Sequence, residues 1–159
     1  MPRATYIVRR VALAKPSELR AIAFLSSPHD ELLNAEAVMG TLSEKRQRQV
    51  RSRFDHWIDG GTNNKWFHGF NAPEHRDCFV FKWKERNQGQ RLYGFLCNPR
   101  QRTNRRFQLC VLAYHATKNE RETDTAELDR VMALMANHLV RGAVQMEFPD
   151  GGGGGQWAN

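Results

Sequence analysis

Apolar and polar positions along this chain follow two different periods, and the periods divide it into elements. Thr5-Tyr6-Ile7-Val8-Arg9-Arg10-Val11-Ala12-Leu13 is rich in β-branched residues and predicts a strand that stops near Pro16. Pro16 suits the first turn of a helix predicted to run to about Leu25. A second helix is predicted after Ser27, with Pro28 at its first position and Asp30 and Glu31 complementing its dipole. The clearest helix follows. Thr41 and Glu44 have capping-box spacing, Val50, Phe54, Trp57 and Ile58 form one apolar stripe, and Gly60-Gly61 ends it.

Downstream the period changes to two. Cys78 to Lys84, Arg91 to Cys97 and Phe107 to Tyr114 predict three strands. A turn at Glu85–Gln90 and a polar loop at Asn98–Arg106 join them into an antiparallel meander. A last helix is predicted from a cap at Asp124 to Gly142, with Leu128, Val131, Met132, Met135 and Leu139 on its apolar face. Val144 to Phe148 predicts a short final strand. Residues 1–150 therefore read as one α+β domain. Its expected core is a small antiparallel sheet, the three-strand meander plus the N-terminal strand, with helices packed on one face. Residues 151–159 read as a disordered Gly-rich tail.

Composition narrows the class. The 159 residues are 40% hydrophobic and 26% charged, as expected of one globular domain. No apolar run approaches the roughly 18 residues of a membrane span, so no membrane partner is expected. The first residues lack the apolar stretch of a secretory signal, and the expected location is cytoplasmic. Cys78, Cys97 and Cys110 form no CxxC pair and read as small buried residues in strands. Lys and Arg number 24 against 17 Asp and Glu, a net +7, which favours a polyanionic partner.

The candidate chemistry lies in the meander. Alternation puts Phe79, Phe81 and Trp83 on the core face and Lys82 and Lys84 on the opposite, open face. Arg91 begins the middle strand, on a face that sequence does not fix. Tyr114 and His115 close the third strand, and Lys118 follows. A basic sheet face can cradle a phosphodiester backbone, and single-stranded nucleic acid adds bases that stack on Tyr, His or Arg. Metal-free RNA cleavage needs a base for the 2′-hydroxyl, cations around the phosphorane and an acid for the leaving oxygen. His115 is the candidate acid or base, Lys82, Lys84 and Arg91 the cationic clamp, and Tyr114 a stacking group or proton relay. Lys118 and the loop residues Arg100, Arg102, Arg105 and Arg106 are candidate RNA contacts. The same residues also fit a plainer description, in which strand lysines guard an edge and a lone His is structural. No P-loop, GxGxxG or Ser-His-Asp order is present, and His56, His68 and His75 lack metal-ligand spacing on one helix. No metal or cofactor is expected.

Three segments carry a family resemblance. They are Phe79-Val80-Phe81-Lys82-Trp83-Lys84, Gly89-Gln90-Arg91-Leu92-Tyr93-Gly94-Phe95, and Val111-Leu112-Ala113-Tyr114-His115-Ala116-Thr117-Lys118-Asn119 continuing to Asp124–Leu128. Upstream, Phe54–Gly61 gives a helix ending in a Gly turn. This pattern resembles the RelE/ParE superfamily of toxin–antitoxin toxins, in particular its phage-derived HigB-like branch. The resemblance implies a compact α+β fold, metal-independent mRNA cleavage in the ribosomal A site, and silencing by a cognate antitoxin. On it, Lys82, Lys84 and Arg91 match the basic strand positions, and Tyr114, His115 and Lys118 lie where active residues cluster. The chain departs in its longer N-terminal part, its extra C-terminal segment, its longer Arg-rich loop, and Thr117-Lys118-Asn119 in place of a Lys-Lys pair. The leading expectation is thus a ribosome-associated mRNA endonuclease toxin. The alternatives are a non-catalytic, ParE-like inhibitor of a protein target and a phage-encoded nucleic-acid-binding accessory protein.

Overall fold

The computed structural model describes residues 5–14, 16–118 and 125–151. Its centre is a six-stranded mixed sheet with helices on both faces. The strands are β1 (Ile7–Arg10), β2 (Arg20–Ser26), β3 (Phe67–Gly69), β4 (Cys78–Glu85), β5 (Gln88–Cys97) and β6 (Gln108–Lys118). They lie in the order β1-β2-β6-β5-β4-β3. The β2–β6 pair is parallel, and the other pairs are antiparallel. The helices are α1 (Ala35–Thr41), α2 (Glu44–Ile58), α3 (Thr125–Ala136) and α4 (His138–Glu147).

This architecture corrects the expected small antiparallel sheet with helices on one face. The meander β4–β5–β6 is present, but β2 joins it in parallel, and β1 and β3 extend the two edges. The segment predicted as a helix from Pro16 to Leu25 is mostly β2. Ile22, Ala23, Phe24 and Leu25 are all buried, Ile22 and Phe24 toward one face and Ala23 and Leu25 toward the other. A continuous apolar run fits a strand covered on both faces as well as a buried helix, so its period alone does not decide. The N-terminal strand is also shorter than expected and pairs with β2 as a hairpin.

The helix boundaries shift too. The turn predicted as a helix start at Pro28 holds no helix, and α1 begins only at Ala35. Ser43, not Thr41, caps α2: its hydroxyl accepts from the Arg46 N–H at 3.2 Å. Thr41 instead donates to the Val38 carbonyl at 2.7 Å, closing α1. The stripe Val50, Phe54, Trp57 and Ile58 is buried as the spacing predicts. It meets Phe79, Phe81 and Trp83 from β4, with the Phe54 and Phe81 rings edge to face at 4.8 Å. The last helix is two helices. Asn137 breaks it, its side chain accepting from the Leu139 and Val140 N–H groups to start α4. The strand expected at Val144–Phe148 is largely the end of α4. The expected cap at Asp124 and nearly all of the Gly-rich tail lie outside the described residues.

The second face was expected to stand open. In fact α3 and α4 cover most of it, packing Leu128, Val131, Leu134, Met135, Val140 and Val144 against Val80, Tyr93, Phe95, Leu109 and Val111. All three cysteines are buried thiols inside the sheet. Burial pushes Cys78 up to about 12 and raises Cys97 and Cys110 as well, so none is a thiolate. Among the described residues, no helix is long and apolar enough to cross a membrane.

Candidate nucleic-acid interface

The site forms where β3 stops short. Its three residues pair with Phe79, Val80 and Phe81, and the ladder ends as the Lys82 N–H donates to the Trp66 carbonyl at 2.7 Å. The remaining edge of β4 would expose its carbonyls. Side chains from α2 cover them instead. Arg53 donates to the Lys82 carbonyl, and Arg46 donates to the Lys84 carbonyl at 3.0 Å. Arg46, Gln49 and Arg53 fall on one side of α2 because residues three and four apart are neighbours on a helix. Capping an edge with arginines also discourages pairing with another chain.

Between α2 and this end of β4 lies a cavity of about 580 Å³. Arg53, Lys65, Lys82, Lys84 and Arg91 bring five cations to its wall. Trp66, Trp83, Gln49 and Gln90 line it as well, and none of its described lining residues is acidic. Trp83 is only 2% exposed, and its indole N–H donates to Glu85 at 2.9 Å, so it serves as floor. Trp66 is half-buried, with the Arg53 guanidinium 5.3 Å from its ring centre.

Lys82 and Arg91 are direct partners in the β4–β5 ladder and share one face. Burial, then the Arg91 charge, lowers the Lys82 ammonium from its ordinary range. Arg91 is 9% exposed and donates to the Tyr93 hydroxyl at 3.2 Å. Tyr114 lies opposite Tyr93 on this same face. Burial, followed by the nearby Asp30 charge, raises its phenol to about 12, so Tyr114 stays protonated at neutral pH.

His115 lies on the other face. Its Nε2 meets Gln90 Oε1 at 2.7 Å, and its ring sits 6.1 Å from Trp83. Burial lowers its pKa, against a weaker opposing pull from Glu85. The cause of the separation is a β-bulge. Leu109, Val111 and Ala113 face α3 and α4, and strict alternation would carry His115 to the same side. The register instead jumps between Tyr93 and Gly94, so that Tyr93 pairs with Tyr114 and Gly94 with Leu112. Ala113 is the extra residue, and everything after it changes face. Tyr114, Ala116 and Lys118 therefore join the Arg91 side, while His115 and Thr117 turn toward Gln90.

The other predicted contacts are elsewhere. Lys118 pairs with Glu127 of α3 at 3.0 Å. The loop carrying Arg100, Arg102, Arg105 and Arg106 follows Cys97, at the opposite end of β5 from Gly89. Arg100 lies over the Phe107 and Phe148 rings at 4.9 and 5.6 Å. The Arg102 N–H and the N–H and hydroxyl of Thr103 bind the Asp150 carboxylate, which fixes the loop to the chain's C-terminal part. Arg105 and Arg106 line a separate cavity there, with Arg76 and Asp77.

The structure thus gathers Lys82, Lys84 and Arg91 from the predicted set at the cleft; Tyr114 and Lys118 share the Arg91 face but do not line the cleft, and His115 and the loop arginines lie elsewhere. It adds Lys65 and Trp66, which sequence reasoning missed as site residues, and Gln49 and Gln90, while His68 lines a neighbouring cavity that shares Lys82. Their sequence signal is faint: a Lys-Trp-Phe-His run at 65–68, too short to read as a strand with a partner. Compared with protein-family models, curated proteins and solved structures, the chain gives no match in any of the three.

Proposed function

We propose that this protein binds single-stranded RNA, with the strand's phosphates tracking the cleft between α2 and the free end of β4. One observation carries the reading: a cavity of about 580 Å³ whose described wall brings five cations together. Lining cations displace condensed counterions from a phosphate backbone and so favour association. The exposed part of Trp66 offers a stacking surface, which only an unpaired base can reach. On this reading the protein works in the cytoplasm. The test is fluorescence anisotropy with a labelled single-stranded RNA against the same sequence as duplex. Stronger binding of the single strand, lost in a Lys82→Ala/Lys84→Ala variant, supports the proposal. Unchanged binding by the folded double variant overturns it.

A second reading is favoured by the Lys82–Arg91 pair, the cationic clamp that metal-free cleavage requires. It is the ribosome-associated mRNA endonuclease of a toxin–antitoxin system, with an acidic antitoxin segment covering the basic face. His115 has no place in that clamp, so the reading needs another proton acceptor. Inducing the protein in bacteria and mapping new mRNA 5′ ends, with translation running and blocked, separates the two. Growth arrest with cuts inside translated codons favours the nuclease. Arrest without cuts favours a protein target, and no arrest favours binding alone.

A further inference from the structure

Another cavity of about 580 Å³ opens where β3 leaves β4. Asn64, His68, Phe70, Asn71, Arg76 and Lys82 line it, and none of its described lining residues is acidic. His68 pairs with Val80 across β3 and β4, so its side chain takes the same sheet face as Val80 and Lys82. Two contacts fix the imidazole. Its Nδ1 lies 2.7 Å from the Gly69 carbonyl, and its ring meets Phe70 edge to face at 5.1 Å. A carbonyl oxygen only accepts, so Nδ1 carries the proton in that hydrogen bond. Nε2 is then the atom that holds a lone pair or gains a second proton.

Burial lowers the His68 pKa, and the Lys82 and Arg91 charges lower it further, against the Gly69 hydrogen bond. The ring is therefore neutral near neutral pH. A negative charge beside it reverses this balance and favours the imidazolium. The cavity thus holds two permanent cations, Arg76 and Lys82, two amide side chains, and one group that becomes cationic when an anion arrives. A phosphate monoester fits that set. It carries close to two negative charges near neutral pH and three terminal oxygens. A phosphodiester has one charge and two such oxygens, and a carboxylate likewise. Lys82 lines both this cavity and the α2–β4 cleft, so a strand lying in the cleft ends within reach.

We infer that His68, Arg76 and Lys82 form a pocket for a terminal phosphate monoester on the RNA strand. The inference rests on the RNA-binding reading above and names which RNA ends the site selects. The experiment compares one short single-stranded RNA in three forms: unphosphorylated, 5′-phosphorylated and 3′-phosphorylated. One phosphorylated form should bind about tenfold more tightly than the unphosphorylated one. Inorganic phosphate should compete away that advantage. His68→Ala and Arg76→Gln should each remove most of it, and Arg76 is exposed, so its replacement leaves the core untouched. Equal binding of all three forms by the wild type overturns this inference and leaves the RNA-binding reading standing. A preference that survives in both folded variants also overturns it. Binding of none of the three overturns the RNA-binding reading and this inference with it.

Discussion

Lys82 stands directly opposite Arg91 in the β4–β5 ladder, and both side chains leave the sheet on the same face. Like charges placed opposite each other in a sheet oppose folding by a few tenths of a kcal/mol up to about 1 kcal/mol. The lowered pKa of Lys82 expresses its burial and this repulsion. A pair that opposes folding is best understood by what it binds.

That tension gives the first prediction. Lys82→Gln should raise stability by about 0.5 kcal/mol, less at high salt because the site is partly solvated. The same change should weaken RNA binding. Urea unfolding and anisotropy on one preparation measure both. A variant that loses stability without losing affinity would assign Lys82 to the fold rather than to the site.

Salt dependence gives the second. Lys65 and Lys84 are exposed at the cleft and have no described acidic partner. Replacing either with Ala should leave the fold unchanged. It should also reduce the slope of log affinity against log salt by about 0.7, one phosphate's worth for a single strand. An unaltered slope in both variants would move the RNA away from this cleft.

His115 gives the third. It binds Gln90 and sits behind the sheet from Lys82 and Arg91. His115→Ala should cost about 1 kcal/mol through the lost hydrogen bond, and RNA affinity should fall far less than in Lys82→Ala/Lys84→Ala, because the cleft's cations stay in place. If the protein cleaves RNA, cleavage should survive as well. Abolished cleavage by a stably folded variant would restore His115 to the mechanism.

The fourth concerns pH. The pKa values of His68 and His115 are both lowered in the folded state, chiefly by burial. In the unfolded chain each has its ordinary value, about 6.5. The unfolded state therefore binds more protons between the two values, and stability rises with pH across that window. The contribution is complete above about 6.5 and is lost as pH falls through the folded values. Unfolding midpoints should decline from neutral pH toward mildly acidic pH. The double variant His68→Ala/His115→Ala should flatten that decline, and an equally steep decline would falsify the assignment.

The bulge gives the fifth. A Cβ on Gly94 would overlap the Val111 carbonyl, because the strands approach closely where the register shifts. Gly94→Ala should destabilise the protein by about 3 kcal/mol or more, or prevent folding. Circular dichroism of the purified variant and its unfolding midpoint test this. Wild-type stability would mean that the bulge relaxes at no cost.

Much of the local structure is legible in the chain. The period-two run from Phe79 to Trp83 and the helical stripe Val50, Phe54, Trp57 and Ile58 each mark a face, and the two faces meet. Residues a few positions apart make these patterns, so spacing alone reveals them. The donation from Arg53 to the Lys82 carbonyl joins residues 29 apart and leaves no such spacing signal.

Sequence determined where β4, β5, β6 and α2 lie and which side of β4 is aromatic. Tertiary structure decided the rest. Arg20 to Ser26 is a strand because β1 and β6 flank it and helices cover both its faces, and no local period encodes neighbours. His68 meets Lys82 because β3 pairs with β4 from eleven residues up the chain, Phe67 lying opposite Phe81 and Gly69 opposite Phe79. His115 and Arg91 part company because Ala113 is one residue too many for its partner strand. A bulge is a mismatch in count between two strands, set by how their backbones pack. One strand's own alternation holds no record of it, and that single residue sends every later side chain of β6 to the opposite face.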